Sequence, residues 1–226
     1  SSHYRKLFLE RLQLPFSCHS PNVDEAHLEG ETGAQMAERL AIRKAQAVAA
    51  LFPDAAIIGS DQVAELLPDT THSQQASHRT AGHIILGKPL THGGAIAQLR
   101  QQSGRTLSFH SGVAVMHQGL IKSFVDTTEV DFRELTDEEI EQYVQRDQPY
   151  DCAGSFKAES LGITLFRAIR SDDPTSLIGL PLIRLSALLR ESTQAGEASK
   201  PGGGRCRKLY RALTAPLPAD WAVGET

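Results

Sequence analysis

Apolar positions recur along this chain at two periods, and the alternation between them sets out the expected fold. Leu7, Phe8, Leu12 and Leu14 fall on one side of a helix opening the chain, with Ser2 placed to cap it. Thr32 to Leu51 is rich in alanine and other good helix formers. Met36, Leu40, Ala47, Val48 and Leu51 are its predicted buried face, Thr32 its N-cap and Pro53 its far boundary. Ala55 to Ile58 is a short apolar run with two adjacent isoleucines, read as a buried strand covered by helices on both faces. Thr106 to His117 alternates Leu107, Phe109, Ser111, Val113 and Val115, the period of a half-buried strand. Gln118-Gly119 turns it into a second long strand, Ile121 to Arg133. Thr136-x-x-Glu139 is a capping box for a helix that buries Ile140, Tyr143 and Val144. Leu14 to Phe16 and Gly162 to Ile169 read as further strands, Gly94 to Gln102 as a helix, and Gly179-Leu180-Pro181 as the start of the last helix. Interleaved helices and strands of this kind predict an α/β domain.

Two stretches lack either period. Leu66 to Ile85 mixes Thr, Ser, Gln and His with Pro68 and Gly82, and reads as a mobile insertion between two strands. Its His72, His78 and His83 match no compact metal-ligand spacing. From Ser192 to Thr226 the chain carries Pro201-Gly-Gly-Gly204 and no amphipathic pattern, so a disordered tail is expected after a domain spanning residues 1–191.

The 226 residues suit one large domain, or two small ones sharing a sheet. A net charge of -4 gives no global field for nucleic acid or an anionic membrane, so any phosphate must be met by local cations. No apolar run approaches the ~20 residues of a membrane span. Cys18, Cys152 and Cys206 lie far apart with no paired spacing, which fits a reducing compartment. With no signal peptide, a cytoplasmic protein is the expectation.

The chemistry centres on Gly59-Ser60-Asp61-Gln62, read as a polar turn at the end of the Ala55–Ile58 strand. Ligands of open α/β sheets sit beyond such strand ends. There Asp61 can ligate a metal, serve as a general base, or simply cap a turn. Asp24-Glu25 is an acidic pair in a loop, able to ligate a hard cation or to be solvated. Arg39 and Arg43 share a solvated face, whereas Lys44 is the cation expected to point into a cleft. Arg5 in the first helical turn opposes the macrodipole, a conflict that a bound anion resolves. Lys88 in Gly87-Lys88-Pro89 sits on a restricted bend and can offer a point charge to phosphate. Cys152 reads as packing rather than as a nucleophile. Three cations with two acids near element ends are an inventory for phosphoryl chemistry.

The ordered set of Ser1-Ser2-x-x-Arg5, Val23-Asp24-Glu25, Arg39-Leu40-Ala41-x-x-Lys44-Ala45, Gly59-Ser60-Asp61-Gln62-Val63, Gly87-Lys88-Pro89-Leu90 and Cys152 to Lys157 resembles the Maf family of nucleotide pyrophosphatases. Gly162 to Phe166 and Gly179 to Leu182 fit it too, so the resemblance runs from residue 1 to about 190. It implies a mixed twisted sheet flanked by helices with a cleft at the strand ends. Within the family, Gly59 to Val63 and Ala153 to Glu159 look like the YceF subgroup, which converts 7-methyl-GTP to the monophosphate and pyrophosphate. A sister subgroup acts on dTTP and UTP, and a non-catalytic, nucleotide-binding role in cell division is the alternative of another class. The resemblance makes Asp61 the acceptor of a proton from water and, with Glu25, a ligand of Mg²⁺ or Mn²⁺. It places Arg5, Lys44, Lys88 and Lys157 around phosphates, and Tyr4, Gln62 and Glu159 where substrate is chosen. Tyr4 stands where the subgroup has Trp. The family's apolar first strand has no counterpart ahead of Ser1 in this sequence, and a homodimer is implied.

Overall fold

The computed structural model describes residues 3–67 and 83–197, with side chains as far as residue 192. Five strands form one sheet: β1 (Ile57–Leu66), β2 (Ile84–Leu86), β3 (Thr106–His117), β4 (Leu120–Phe132) and β5 (Phe166–Arg170), in the order β2-β1-β3-β4-β5. The helices are α1 (His3–Arg11), α2 (Gly33–Ala49), α3 (His92–Gln102), α4 (Asp137–Asp147) and α5 (Leu182–Glu197). The α/β class and the helical cover are as expected. The four pairings among the described strands are all antiparallel rather than mixed. Three of them join strands that are consecutive in sequence, β1 with β2, β3 with β4 and β4 with β5, and so need no crossover.

The most consequential departure from the sequence reading lies in β1. The strand does not end at Gly59. It continues to Leu66, with Gly59, Ser60, Asp61 and Gln62 paired opposite Ala114, Val113, Gly112 and Ser111 of β3. Gly59 marks a close approach and not a turn. A Cβ there would overlap the Ala41 carbonyl and the backbone nitrogen of Ala45, and a Cβ on Gly112 would overlap the Ala37 carbonyl. Helix α2 therefore lies directly on the sheet through Gly33, Ala37, Leu40, Ala41 and Ala45, all buried. Ala47 and Leu51, expected to be buried, are exposed because they lie off the stripe of Gly33, Ala37, Leu40, Ala41 and Ala45 that faces the sheet.

The opposite face holds two apolar clusters. Phe8, Val113, Val115, Phe124, Leu180, Leu185 and Leu189 pack between α1, α5 and the sheet. Leu66, Leu99, Leu107, Phe109, Phe132, Ile140, Val144 and Phe156 pack toward α3 and α4. Between them runs a polar row of cross-strand neighbours, Gln62, Ser111 and Asp126. Leu7 of α1 points to solvent, whereas Leu9 packs against the first of these clusters.

Smaller corrections follow from hydrogen bonding. Leu14 to Phe16 has no strand partner among the described residues, and Gly162 lies in a 3-10 turn, Leu161–Leu165, ahead of β5. Thr32 and Thr136 close full capping boxes with Gln35 and Glu139. Ile84–Leu86 pairs antiparallel with Ala64–Leu66, so the 66–85 insertion begins and ends in strand, while residues 68–82 lie outside the described residues. Helix α5 runs to Glu197, into the stretch expected to be tail; the expectation for residues 198–226 lies outside the described residues. No helix among the described residues is long and apolar enough to cross a membrane.

Candidate functional site

Strand β2 pairs with β1 only at Ala64 to Leu66, so from Ile57 to Val63 the β1 edge away from β3 has no strand partner among the described residues. The site forms along this open edge, halfway up the sheet, rather than beyond the strand ends. Side chains alternate across a strand. Asp61 therefore faces the α2 side with Gly59, and Gln62 faces the polar row.

Lys44 projects from α2, whose contact with Gly59 sets its height. Its Nζ lies 2.6 Å from Asp61 Oδ1 and 2.6 Å from Glu25 Oε1. Lys44 and Asp61 are mostly buried, while the Glu25 side chain is 60% exposed on its loop. Arg5 arrives from α1. Its Nε donates to the Gly179 carbonyl at 3.1 Å and its Nη1 to the Ser60 carbonyl at 3.3 Å, on the residue preceding Asp61. Burial lowers the Arg5 guanidinium pKa, and the carboxylates of Asp61 and Glu25 oppose that fall. Arg5, Glu25, Lys44 and Asp61, chosen from sequence, are thus gathered at one place.

A second group joins Tyr4 to Glu159. The Tyr4 phenol interacts with the Glu159 carboxylate, and with burial this pushes the phenol up to about 12. Two residues expected to choose the substrate are in contact although they lie at opposite ends of the domain sequence. Burial, followed by the nearby Asp151 carboxylate, pushes the Cys152 thiol up to about 12, in keeping with packing rather than nucleophilic attack.

The remaining candidates are placed differently. Gln62 Nε2 faces the Ser111 hydroxyl and the carbonyls of Ser176 and Leu177 at 3.0–3.1 Å, tying the loop ahead of α5 to the sheet. Lys157 Nζ donates to the Asp147 carbonyl at 2.9 Å, at the C-terminal end of α4 where a cation suits the helix dipole. Lys88 is exposed and follows β2 where the open edge of β1 begins.

Two features escaped the sequence reading. Arg39, read as solvated, is mostly buried; it grips Glu31 through Nε and Nη2 and donates to the Ala26 carbonyl at 3.0 Å. It thereby fixes the loop that carries Glu25. The RLAxxKA spacing held Arg39 in view, but nothing local pointed to Glu31.

The other feature is a buried carboxylate. Glu65 accepts from Gly33 N at 3.2 Å and lies 2.9 Å from His110 Nε2 and 3.0 Å from His83 Nδ1. His110 Nδ1 in turn lies 3.0 Å from Thr127 Oγ1. Burial pushes the Glu65 carboxyl up, but the Gly33 N–H and the two imidazoles outweigh it and leave the pKa below the usual carboxylate range. A carboxyl depressed on folding contributes stability that is full above its unfolded pKa of ~4.3 and is lost as pH falls through the lower folded value. Glu65→Gln is therefore expected to cost about 1–3 kcal/mol at pH 7. In thermal melts the gap to wild type should narrow on acidification; a gap constant down to pH 3 would refute the ionised pairing.

The arrangement is that of an α/β domain with a carboxylate–lysine centre on an open sheet edge. The chain belongs to the Maf-like protein family, whose model matches residues 1–192. It is 49% identical over 192 residues to a 7-methyl-GTP pyrophosphatase of Polaromonas sp., covering 84% of this chain and 81% of that protein. The 7-methyl-GTP pyrophosphatase of Aromatoleum aromaticum is 48% identical over 192 residues, covering 84% and 91%. That of Xanthomonas axonopodis pv. citri is 48% identical over 192 residues, covering 85% and 93%.

Among the described residues no group of three or more His, Cys, Asp or Glu is arranged to hold a metal ion. Glu25 and Asp61 nevertheless each place an oxygen 2.6 Å from a single point, the Lys44 nitrogen. Two carboxylates with phosphate oxygens and water are a donor set that suits Mg²⁺.

Proposed function

We propose that this chain is a nucleoside triphosphate pyrophosphatase that converts 7-methyl-GTP to 7-methyl-GMP and pyrophosphate. The observation that carries this reading is the convergence of Asp61, Lys44, Glu25 and Arg5 on one edge of β1, in a chain nearly half identical to proteins of that name. Asp61, held by a paired strand, accepts the proton of the attacking water. Lys44 and Arg5 meet the charge of the phosphates, with Lys88 at the mouth of the edge. A divalent cation, Mg²⁺ or Mn²⁺, bound by Glu25 and Asp61 would polarise a phosphoryl oxygen. A carboxylate has two oxygens, which allows Asp61 both duties.

Tyr4 and Glu159 are the base-reading pair of this scheme. 7-Methylguanine is cationic and gains from stacking on an aromatic ring. Glu159 can accept from its N1–H and exocyclic amine. Gln62, turned toward the polar row, positions the Ser176–Gly179 loop, and Lys157 supports the Glu159 segment from α4. A cytoplasmic homodimer belongs to the same reading.

The test is a nucleotide panel with Mg²⁺ or Mn²⁺, read by pyrophosphate release. Preference for 7-methyl-GTP over GTP, dTTP and UTP is expected. Tyr4→Ala should raise KM for 7-methyl-GTP by about tenfold, in line with a desolvated cation–π contact of ~1–2 kcal/mol, with a smaller change in kcat. Release of orthophosphate, or a preference for pyrimidines, would overturn the assignment.

A further inference from the structure

We infer that the Lys44 ammonium and the divalent cation compete for the same two carboxylates, so that Lys44 is exchanged from Glu25 and Asp61 to phosphate when metal and nucleotide load together. The inference rests on the reading of Glu25 and Asp61 as cation ligands. Lys44 Nζ contacts one oxygen of each acid at 2.6 Å, so those oxygens are at most twice that distance apart. A divalent ion drawing on these same two oxygens needs the place the ammonium takes, and one drawing on the other oxygens still sits close enough to be repelled by it.

The three groups differ in freedom. Asp61 is fixed in a strand paired on its β3 side, and the Lys44 backbone is fixed by the seating of α2 on Gly59. Glu25 belongs to a segment with no regular secondary structure and is the most exposed of the three. What can change is therefore the Lys44 side chain, with four rotatable carbons, together with the Glu25 loop. Arg39 holds that loop at the Ala26 carbonyl, next to Glu25, which limits how far the acid can follow the lysine. Displaced from the carboxylates, the ammonium is left beside the open edge of β1, where a phosphate oxygen is its natural partner. Binding of metal and binding of triphosphate are thereby linked, each favouring the other through the same lysine.

The experiment measures Mn²⁺ binding to the nucleotide-free protein by electron paramagnetic resonance, for wild type, Lys44→Met and Lys44→Gln. Both variants keep the length of the side chain in whole or part and remove its charge. They should bind Mn²⁺ more tightly than wild type, by about tenfold or more, although they lose the lysine proposed to hold phosphate. A second readout needs no variant. Saturating Mg²⁺ should increase reductive methylation of Lys44 in the wild-type protein, measured by mass spectrometry against exposed Lys122. Equal Mn²⁺ affinity in all three proteins, with Lys44 labelling unchanged by Mg²⁺, would overturn the exchange and leave the two-carboxylate metal site standing. Absence of Mn²⁺ binding in all three at millimolar concentration would remove that metal site and the exchange with it.

Discussion

Asp61→Asn is expected to lower turnover of 7-methyl-GTP by about 10²–10⁴-fold, the usual scale for removing a general base. The amide keeps the size of the side chain and leaves β1 paired along its whole register with β3. Lys44 retains Glu25 as a partner, so the melting temperature should move little. Nucleotide binding followed by calorimetry or fluorescence should persist, because Arg5 and Lys44, the cations proposed to meet the phosphates, remain. A variant that turns over at the wild-type rate would remove Asp61 from the mechanism, whatever its contact with Lys44. A variant that unfolds would instead mark Asp61 as structural.

Gly59→Val is expected to be the most damaging substitution for the fold. The first atom of any side chain at this position meets backbone of α2 at Ala41 and Ala45, and backbone cannot rotate away as a flexible side chain can. Overpacking of this kind costs about 3 kcal/mol or more where no relaxation is available, against a total stability of roughly 5–15 kcal/mol for a domain. Urea denaturation should show the midpoint falling sharply, with any soluble fraction inactive because α2 carries Lys44. Gly112→Ala is a milder probe of the same contact, at the Ala37 carbonyl. A Gly59→Val protein with wild-type stability would mean that α2 does not lie this close to the sheet.

That contact also explains what sequence could and could not disclose. The long elements were legible because their signals are local. The sequence of β3 alternates, although the strand proves buried on both faces rather than half-buried. Burial alternates along β4, and α2 and α4 carry capping boxes within four residues. The end of β1 was misread because glycine before a polar pair is an ordinary turn signal, and its second use, clearing space for a crossing helix, depends on residues far away. The buried face of α2 was misjudged for the same reason. Size usually marks the inside, and here the helix seats itself mainly on Gly33, Ala37, Ala41 and Ala45, with Leu40 beside them.

The site residues divide along the same line. Arg5, Glu25, Lys44 and Asp61 were found because each sits in a motif and together they resemble a known family; the structure supplies their common meeting point. Tyr4 and Glu159 meet although 155 positions separate them, an association that the resemblance suggested and periodicity had no means to show. Gln62 was grouped with them on the family resemblance; in the structure it faces Ser111 and the carbonyls of Ser176 and Leu177. Glu65, His110 and His83 belong to no motif, and only the register of β1 against β3 and β2 brings them together.

The row of Gln62, Ser111 and Asp126 splits the greasy interior into two separate volumes, one under α1 and α5 and one under α3 and α4. Strands β1, β3 and β4 run unbroken through both, so two separately packed cores share one continuous scaffold. Tyr4 belongs to the helix that closes the first and Glu159 to the segment beside the second, so a base gripped by both would bridge the two cores.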